Sequence, residues 1–172
     1  WPYGEKDDHP LLWFSPLERG ILEVDEFHTS RSLLRSATRK MWNVTSDMAF
    51  ERVISECANQ KRPQQKGTWI FDFVIEAYSE IFRLGLAHSV EVWNGDQLVG
   101  GVYGVLIKNV FSAESMFHIE TDAGKWALRS LAHHLKKIGL KWFDVQMITP
   151  VIGQLGGKLI KQDEFLSRLR MV

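Results

Sequence analysis

Residues 141–147 read KWFDVQM, and the fold turns on how this stretch is understood. Its length and its mix of aromatic and branched residues suit a short strand. Side chains alternate across a strand, so Trp142, Asp144 and Gln146 share one face while Phe143, Val145 and Met147 share the other. An acid and an amide two residues apart within an apolar sheet need partners, because burying an unpaired polar group costs about 2 kcal/mol or more. Two readings stay open: a satisfied polar pair at a strand end, or a pair presented to a substrate.

Working outward, residues 123–138 fit a helix that stops at Gly139. Ahead of it three strands are expected at 88–93, 97–107 and 110–117. The first two are joined by Asn94-Gly95-Asp96, a tight hairpin signal, and the last two by Lys108-Asn109. Gly100, Gly101 and Gly104 within the middle strand point to a bulge or a close backbone approach. Three helices are expected upstream. One runs to Lys40 after a cap at Thr29 or Ser30, one runs to Asn59 after Ser46 or Asp47, and one spans 71–84 with Gly85 closing it. A first strand is expected at 20–24, and a short helix at 163–170 ends a glycine-containing tail. The order is strand, helices, three-strand meander, helix, strand, tail. It predicts an α+β (mixed α/β sandwich) architecture, an acetyltransferase-like fold with a central, mostly antiparallel sheet flanked by helices.

The chain has 172 residues, enough for one domain with a substantial core. Residues 1–18 are expected to be the remnant of a small N-terminal domain and 19–172 the main domain; without an initiator Met, the chain is expected to start part-way into a longer protein. No apolar run approaches the ~20 residues of a membrane span, and no signal peptide is legible, so a soluble, cytoplasmic protein is expected. A single cysteine, Cys57, excludes internal disulfides and a cysteine-rich zinc site. Lys and Arg (21) balance Asp and Glu (21), so any affinity for nucleic acid must come from a local patch. Arg31, Arg35 and Arg39, at i, i+4 and i+8 with Lys40 beside them, form such a patch on one helix face. A solvated basic face is the plainer meaning of that spacing. Lys61, Arg62 and Lys66 would add to it if the two groups met in space.

No metal-ligand spacing, nucleophile elbow or phosphate-binding loop is present. Glu114, in the third meander strand, is either a solvent-facing edge residue or a carboxylate at the mouth of an apolar pocket near Asp144. Val102, Phe111, Leu131, Leu135 and Phe143 are candidates to wall that pocket, though each alone reads as ordinary core. An acyl-CoA-dependent transferase of this fold needs a glycine-rich loop at the start of the helix after the meander. Residues 120–125 read ETDAGK there, with one glycine and two acids that would repel pyrophosphate.

The chain resembles the leucyl/phenylalanyl-tRNA–protein transferase family across nearly its whole length. WFSP (13–16), HTSRS (28–32), GTWI (67–70), HSVEVW (88–93), LVGGVYG (98–104), ESMF (114–117) and DVQ (144–146) occur in register. The resemblance implies an enzyme that moves Leu or Phe, and for some members Met, from aminoacyl-tRNA to the α-amino group of proteins beginning with Arg or Lys. Such transfer marks proteins for the bacterial N-degron pathway, with no cofactor or metal. By that resemblance Gln146 accepts a hydrogen bond from the attacking amine, Asp144 orients Gln146, and Glu114 holds the aminoacyl end. Val102, Phe111, Leu131, Leu135 and Phe143 take the amino-acid side chain, and Tyr3 lies near the terminal adenosine. Arg31, Arg35, Arg39 and Lys40 meet tRNA phosphates. Leu131 and Leu135 stand where many members carry Phe. The alternatives are an acyl-CoA-dependent N-acetyltransferase and a non-catalytic tRNA-binding paralogue.

Overall fold

In the computed structural model the described residues are 2–3 and 12–13 (backbone only), 15–61 and 67–170. The strands are β1 Pro2–Tyr3, β2 Leu12–Trp13, β3 Glu18–Glu23, β4 Asn43–Ser46, β5 Ala87–Asn94, β6 Gln97–Ile107, β7 Val110–His118, β8 Trp142–Gln146 and β9 Lys158–Lys161. The helices are α1 Arg31–Lys40, α2 Phe50–Asn59, α3 Asp72–Arg83, α4 Ala123–Lys137, α5 Pro150–Gln154 and α6 Gln162–Arg170. Strands β1 and β2 pair with each other, and the other seven form one sheet in the order β4-β5-β6-β7-β8-β3-β9. Every adjacent pair in that sheet is antiparallel except β7–β8. The expected mixed architecture and the three-strand meander, β5 to β7, are both present.

Period-two burial divides the core between two faces. On one face Leu128, Leu131 and Leu135 of α4 pack with Val90, Val102, Phe111 and Phe143, and Ala37 of α1 joins them. On the other, Val53, Ile54 and Cys57 of α2 and Val74 of α3 pack with Ala87, Tyr103 and Phe117. Trp142 and Ile21 continue that second face under α6, with Ile160, Phe165 and Leu169. Each fully buried side chain of this size contributes about 1.5–3 kcal/mol. Gly100 is where the start of α4 settles onto β6, since a Cβ there would lie 2.6 Å from that of Ala123. Among the described residues no helix is long and apolar enough to cross a membrane.

Local signals place most helix ends. Ser30 caps α1, its hydroxyl accepting the Leu33 N–H at 3.1 Å. Helix α2 departs from expectation. It starts after Ala49 with no side-chain cap, because the Asp47 carboxylate is engaged by β5. There it accepts the Ser89 N–H at 2.7 Å and meets His88 Nδ1 at 2.9 Å. The tail holds more structure than its glycines suggested. Thr149 caps the short α5, and β9 pairs along β3 with Ile160 opposite Arg19. Strand β3 also begins earlier than expected, at Glu18, which draws Arg19 into the sheet.

Candidate active site

The parallel strands β7 and β8 are paired only at Phe111 with Phe143 and at Ser112 with Asp144. Beyond that point each strand carries one residue too many for its antiparallel neighbour. Tyr103 faces Ser115 and Gly104 faces Ala113, so Glu114 is the surplus residue of β7. Gly20 faces Gln146 and Ile21 faces Asp144, so Val145 is the surplus residue of β8. A bulge bends its strand and redirects side chains. Gly104 permits the first one, since a Cβ there would run into the Ser112 carbonyl and the Phe111 ring.

Strand β8 ends abruptly. Gln146 has φ 65°, and the Met147 N–H donates to the Val145 carbonyl at 2.7 Å, a three-residue turn with Gln146 at its centre. A left-handed conformation costs a non-glycine residue about 1–2 kcal/mol. Strain of this kind collects at functional sites and persists only where the surroundings impose it.

Asp144 is the group that imposes it. Its side chain is 4% exposed. Oδ1 accepts from Arg19 Nε at 2.9 Å and from the backbone N–H of Gln146 at 2.8 Å. Oδ2 accepts from Arg19 Nη2 at 2.7 Å and from Ser112 Oγ at 3.0 Å. An ionised carboxylate offers about four acceptor positions, so Asp144 has none left for a substrate proton.

The Gln146 side chain crosses the gap and donates from Nε2 to Glu114 Oε2 at 2.8 Å. A carboxylate partner fixes the amide flip: the NH2 faces Glu114 and Oε1 is turned away as an acceptor. Glu114, partly buried, also receives the Tyr78 hydroxyl from α3. Burial holds the Glu114 carboxyl above the usual carboxylate range. The Gln146 amide opposes that rise, the Asp144 charge adds to it, and Arg19 and Tyr78 oppose it. Burial and the neighbouring Glu114 also raise the Tyr78 phenol. Tyr78 meets Tyr103 edge-on at 5.3 Å and Trp69 at 6.5 Å, giving the site an aromatic wall on its α3 side.

The structure thus gathers Asp144, Gln146 and Glu114 in one hydrogen-bonded chain. Val102, Phe111, Leu131, Leu135 and Phe143 also come together, at 0–3% exposure, but on the opposite, α4 face of the sheet. They are packed side by side as closed core. The parting of β7 and β8 links the two faces, and Ala113, Met116 and Val145, partly buried, lie against that core beside the gap. The side chain of Tyr3, and Arg62 and Lys66, lie outside the described residues.

Arg31, Arg35 and Arg39 are exposed on α1 as the spacing required. Lys40 is a correction to the basic patch. Its ammonium is bonded to Glu120 at 2.6 Å and sits 5.1 Å from the Trp42 ring, so it is engaged within the protein and only partly exposed, unlike the arginines. Lys61 follows α2 on the other side of the sheet from α1, so it does not extend that patch either. Asn94, Lys40 and Trp42 converge on Glu120 and lower its pKa. An ionised carboxylate therefore stands where an acyl-CoA loop would need to receive pyrophosphate.

Sequence reasoning missed Arg19, Ser112 and Tyr78. Arg19 fell outside the expected first strand. Ser112 becomes readable only once the β7–β8 register is known, and Tyr78 gave no signal beyond an aromatic on a helix.

A mostly antiparallel sheet with one splayed parallel pair, and a carboxylate–amide chain set into the splay, is an acetyltransferase-like α/β arrangement. The family model described as leucyl/phenylalanyl-tRNA protein transferase matches residues 21–170. The leucyl/phenylalanyl-tRNA–protein transferase of Shewanella baltica (strain OS185) is 43% identical over 170 residues, covering 99% of this chain and 71% of that protein. That of Hydrogenovibrio crunogenus is 42% identical over 170 residues, covering 99% of this chain and 66% of that protein. The chain belongs to the leucyl/phenylalanyl-tRNA–protein transferase family. Among solved structures, a conserved Bacteroides thetaiotaomicron protein of unknown function matches with a TM-score of 0.57 at 11% identity, covering 80% of this chain and 53% of that one. The C-terminal domain of an Agrobacterium fabrum protein matches at 0.50 and 12% identity, covering 76% of this chain and 46% of that one. At such identities the likeness is one of fold alone.

Proposed function

We propose that this chain transfers Leu or Phe, with Met as a further donor, from aminoacyl-tRNA to the α-amino group of proteins that begin with Arg or Lys, feeding a bacterial N-degron pathway. The observation that carries the proposal is the Gln146 amide, locked by Glu114 so that its Oε1 is an acceptor at the open end of the splay. The donor is an activated ester, and an N-terminal amine has a pKa of about 8, so part of it is already neutral near pH 7. The chemistry then asks for orientation more than for a strong base. The amine nitrogen attacks the ester carbonyl while Gln146 Oε1 accepts one of its hydrogens. The new C–N bond forms, the bond to the terminal ribose oxygen breaks, and the amine proton passes to that oxygen. The amide aligns the amine without taking the proton. Glu114 faces the donor's own α-amino group, and Asp144 keeps Gln146 in place. The donor side chain enters between β7 and β8 toward Phe111, Leu131, Leu135, Phe143 and Val102, displacing their present packing. An apolar channel of this kind accepts Leu and Phe and penalises polar side chains. Exposed Arg31, Arg35 and Arg39 meet the tRNA backbone without reading its sequence.

The test is transfer of radiolabelled Phe from Phe-tRNA to an Arg-starting peptide. Asp144→Ala and Gln146→Ala should abolish most transfer and spare tRNA binding, while Arg35→Ala should do the reverse. Bound tRNA with no transfer by the intact chain would make it a tRNA-binding paralogue. Tight acetyl-CoA binding in a calorimetric titration would instead favour acyl-CoA chemistry.

A further inference from the structure

We propose that Arg19 is a positioning residue for the transfer step, setting the backbone of Gln146 by way of Asp144; the inference rests on the transfer reading above. The Gln146 turn needs a restraint. Its residue is not glycine and its φ is positive, so a contact from outside the turn has to hold it. That contact is the bond from the Gln146 N–H to Asp144 Oδ1. The same oxygen takes Arg19 Nε while Nη2 takes the other, so the planar fork of Arg19 fixes the rotation of the carboxylate. The fork is itself held. Arg19 lies in β3 opposite Ile160 of β9, and its guanidinium sits 5.3 Å from the Phe165 ring of α6. A rotated carboxylate would take Oδ1 away from the Gln146 N–H. The turn would then relax, and the side chain that bridges to Glu114 would swing with it. Lysine supplies one point donor in place of a fork and cannot fix that rotation.

The experiment uses the full chain with Arg19→Lys and Arg19→Met. Phe transfer is followed for kcat and KM, Phe-tRNA affinity is measured, and the Gln146 amide is followed by 15N–1H correlation spectroscopy and hydrogen exchange. A misplacement of catalytic groups by an ångström costs on the order of 100-fold, so kcat should fall by roughly 10- to 100-fold in both variants with KM and tRNA affinity within about threefold. The Gln146 amide should move upfield and exchange faster. An unchanged Gln146 amide in Arg19→Met would overturn the proposal whatever the activity. Unfolding of both variants would also overturn it, since the ion pair would then be holding the sheet and not the turn. If the wild-type chain transfers nothing, the transfer reading fails, and the amide signal still decides whether Arg19 sets Gln146.

Discussion

Replacing Asp144 by Asn removes one charge and two acceptor positions from a carboxylate that uses all four of its own. The outcome depends on which way the new amide turns. With its NH2 toward Arg19 Nε and the Gln146 N–H it would set a donor against two donors. Turned the other way it faces Arg19 Nη2 and Ser112 Oγ, and the Ser112 hydroxyl can rotate to accept. The second orientation is favoured, and it keeps the bond to the Gln146 backbone. What is lost is the Asp144 charge beside Arg19, whose side chain is only 15% exposed. Breaking a buried ion pair costs about 3–5 kcal/mol, and the partial exposure of Arg19 lowers that to roughly 2–4 kcal/mol. For a chain of this size such a loss lowers Tm by about 5–15 °C. Urea unfolding of both proteins, with the m-value checked for constancy, measures it. A loss below about 1 kcal/mol would refute the reasoning, as would strict additivity of Asp144→Asn with Arg19→Met, because residues in one buried pair should couple by about 0.5–3 kcal/mol.

Glu114 supplies a pH signature. Its folded pKa is raised, so the native state binds more protons than the unfolded one between the usual carboxylate value and the raised one; stability falls as pH rises through that window. Glu114→Gln should therefore gain stability relative to wild type as pH is raised above the usual carboxylate range in chemical denaturation, and a pH-independent difference would contradict the burial argument. At Gln146 the backbone and side-chain roles can be separated. Gln146→Gly and Gln146→Ala should both lose transfer, but the glycine variant should be the more stable by about 1 kcal/mol, as only alanine retains the strain at positive φ. On α1, Arg35→Ala should reduce the salt dependence of tRNA binding by about one unit of log–log slope. Lys40→Ala should leave that slope unchanged, because its ammonium is already bonded to Glu120; equal effects in filter-binding titrations would restore Lys40 to the patch.

The fold was legible where residues advertise their own geometry. Asn94-Gly95 announced its hairpin, Ser30 its helix, and KWFDVQM marked Asp144 and Gln146 as polar residues of one strand, although the surplus Val145 breaks the alternation between them. Legibility failed where partners are remote in sequence. Strand β9 buries only Ile160, and its sequence, KLIK, shows no alternation to read. Asp47 looked like a helix cap and is instead captured by a strand 41 residues away. The site followed the same division. Its three candidate side chains were visible as polar residues in apolar strands, while the two bulges beside them depend on register, which a single strand does not record. Arg19 depends on β8 and β9 both being beside β3, a fact of topology alone.

The place of β3 also bears on how the protein is made. It is the earliest strand of the large sheet to be synthesised, yet it lies between the last two. Arg19 must wait for a partner 125 residues further along the chain, which at ribosomal speeds of about 5–20 residues per second is a delay of roughly 6–25 s. Through that interval Ile21 and Leu22, both 0% exposed once folded, have no sheet to enter. The nascent chain is therefore open to chaperone capture at its leading strand. The Arg19–Asp144 pair, and the turn beside it, can form only once β8 has emerged.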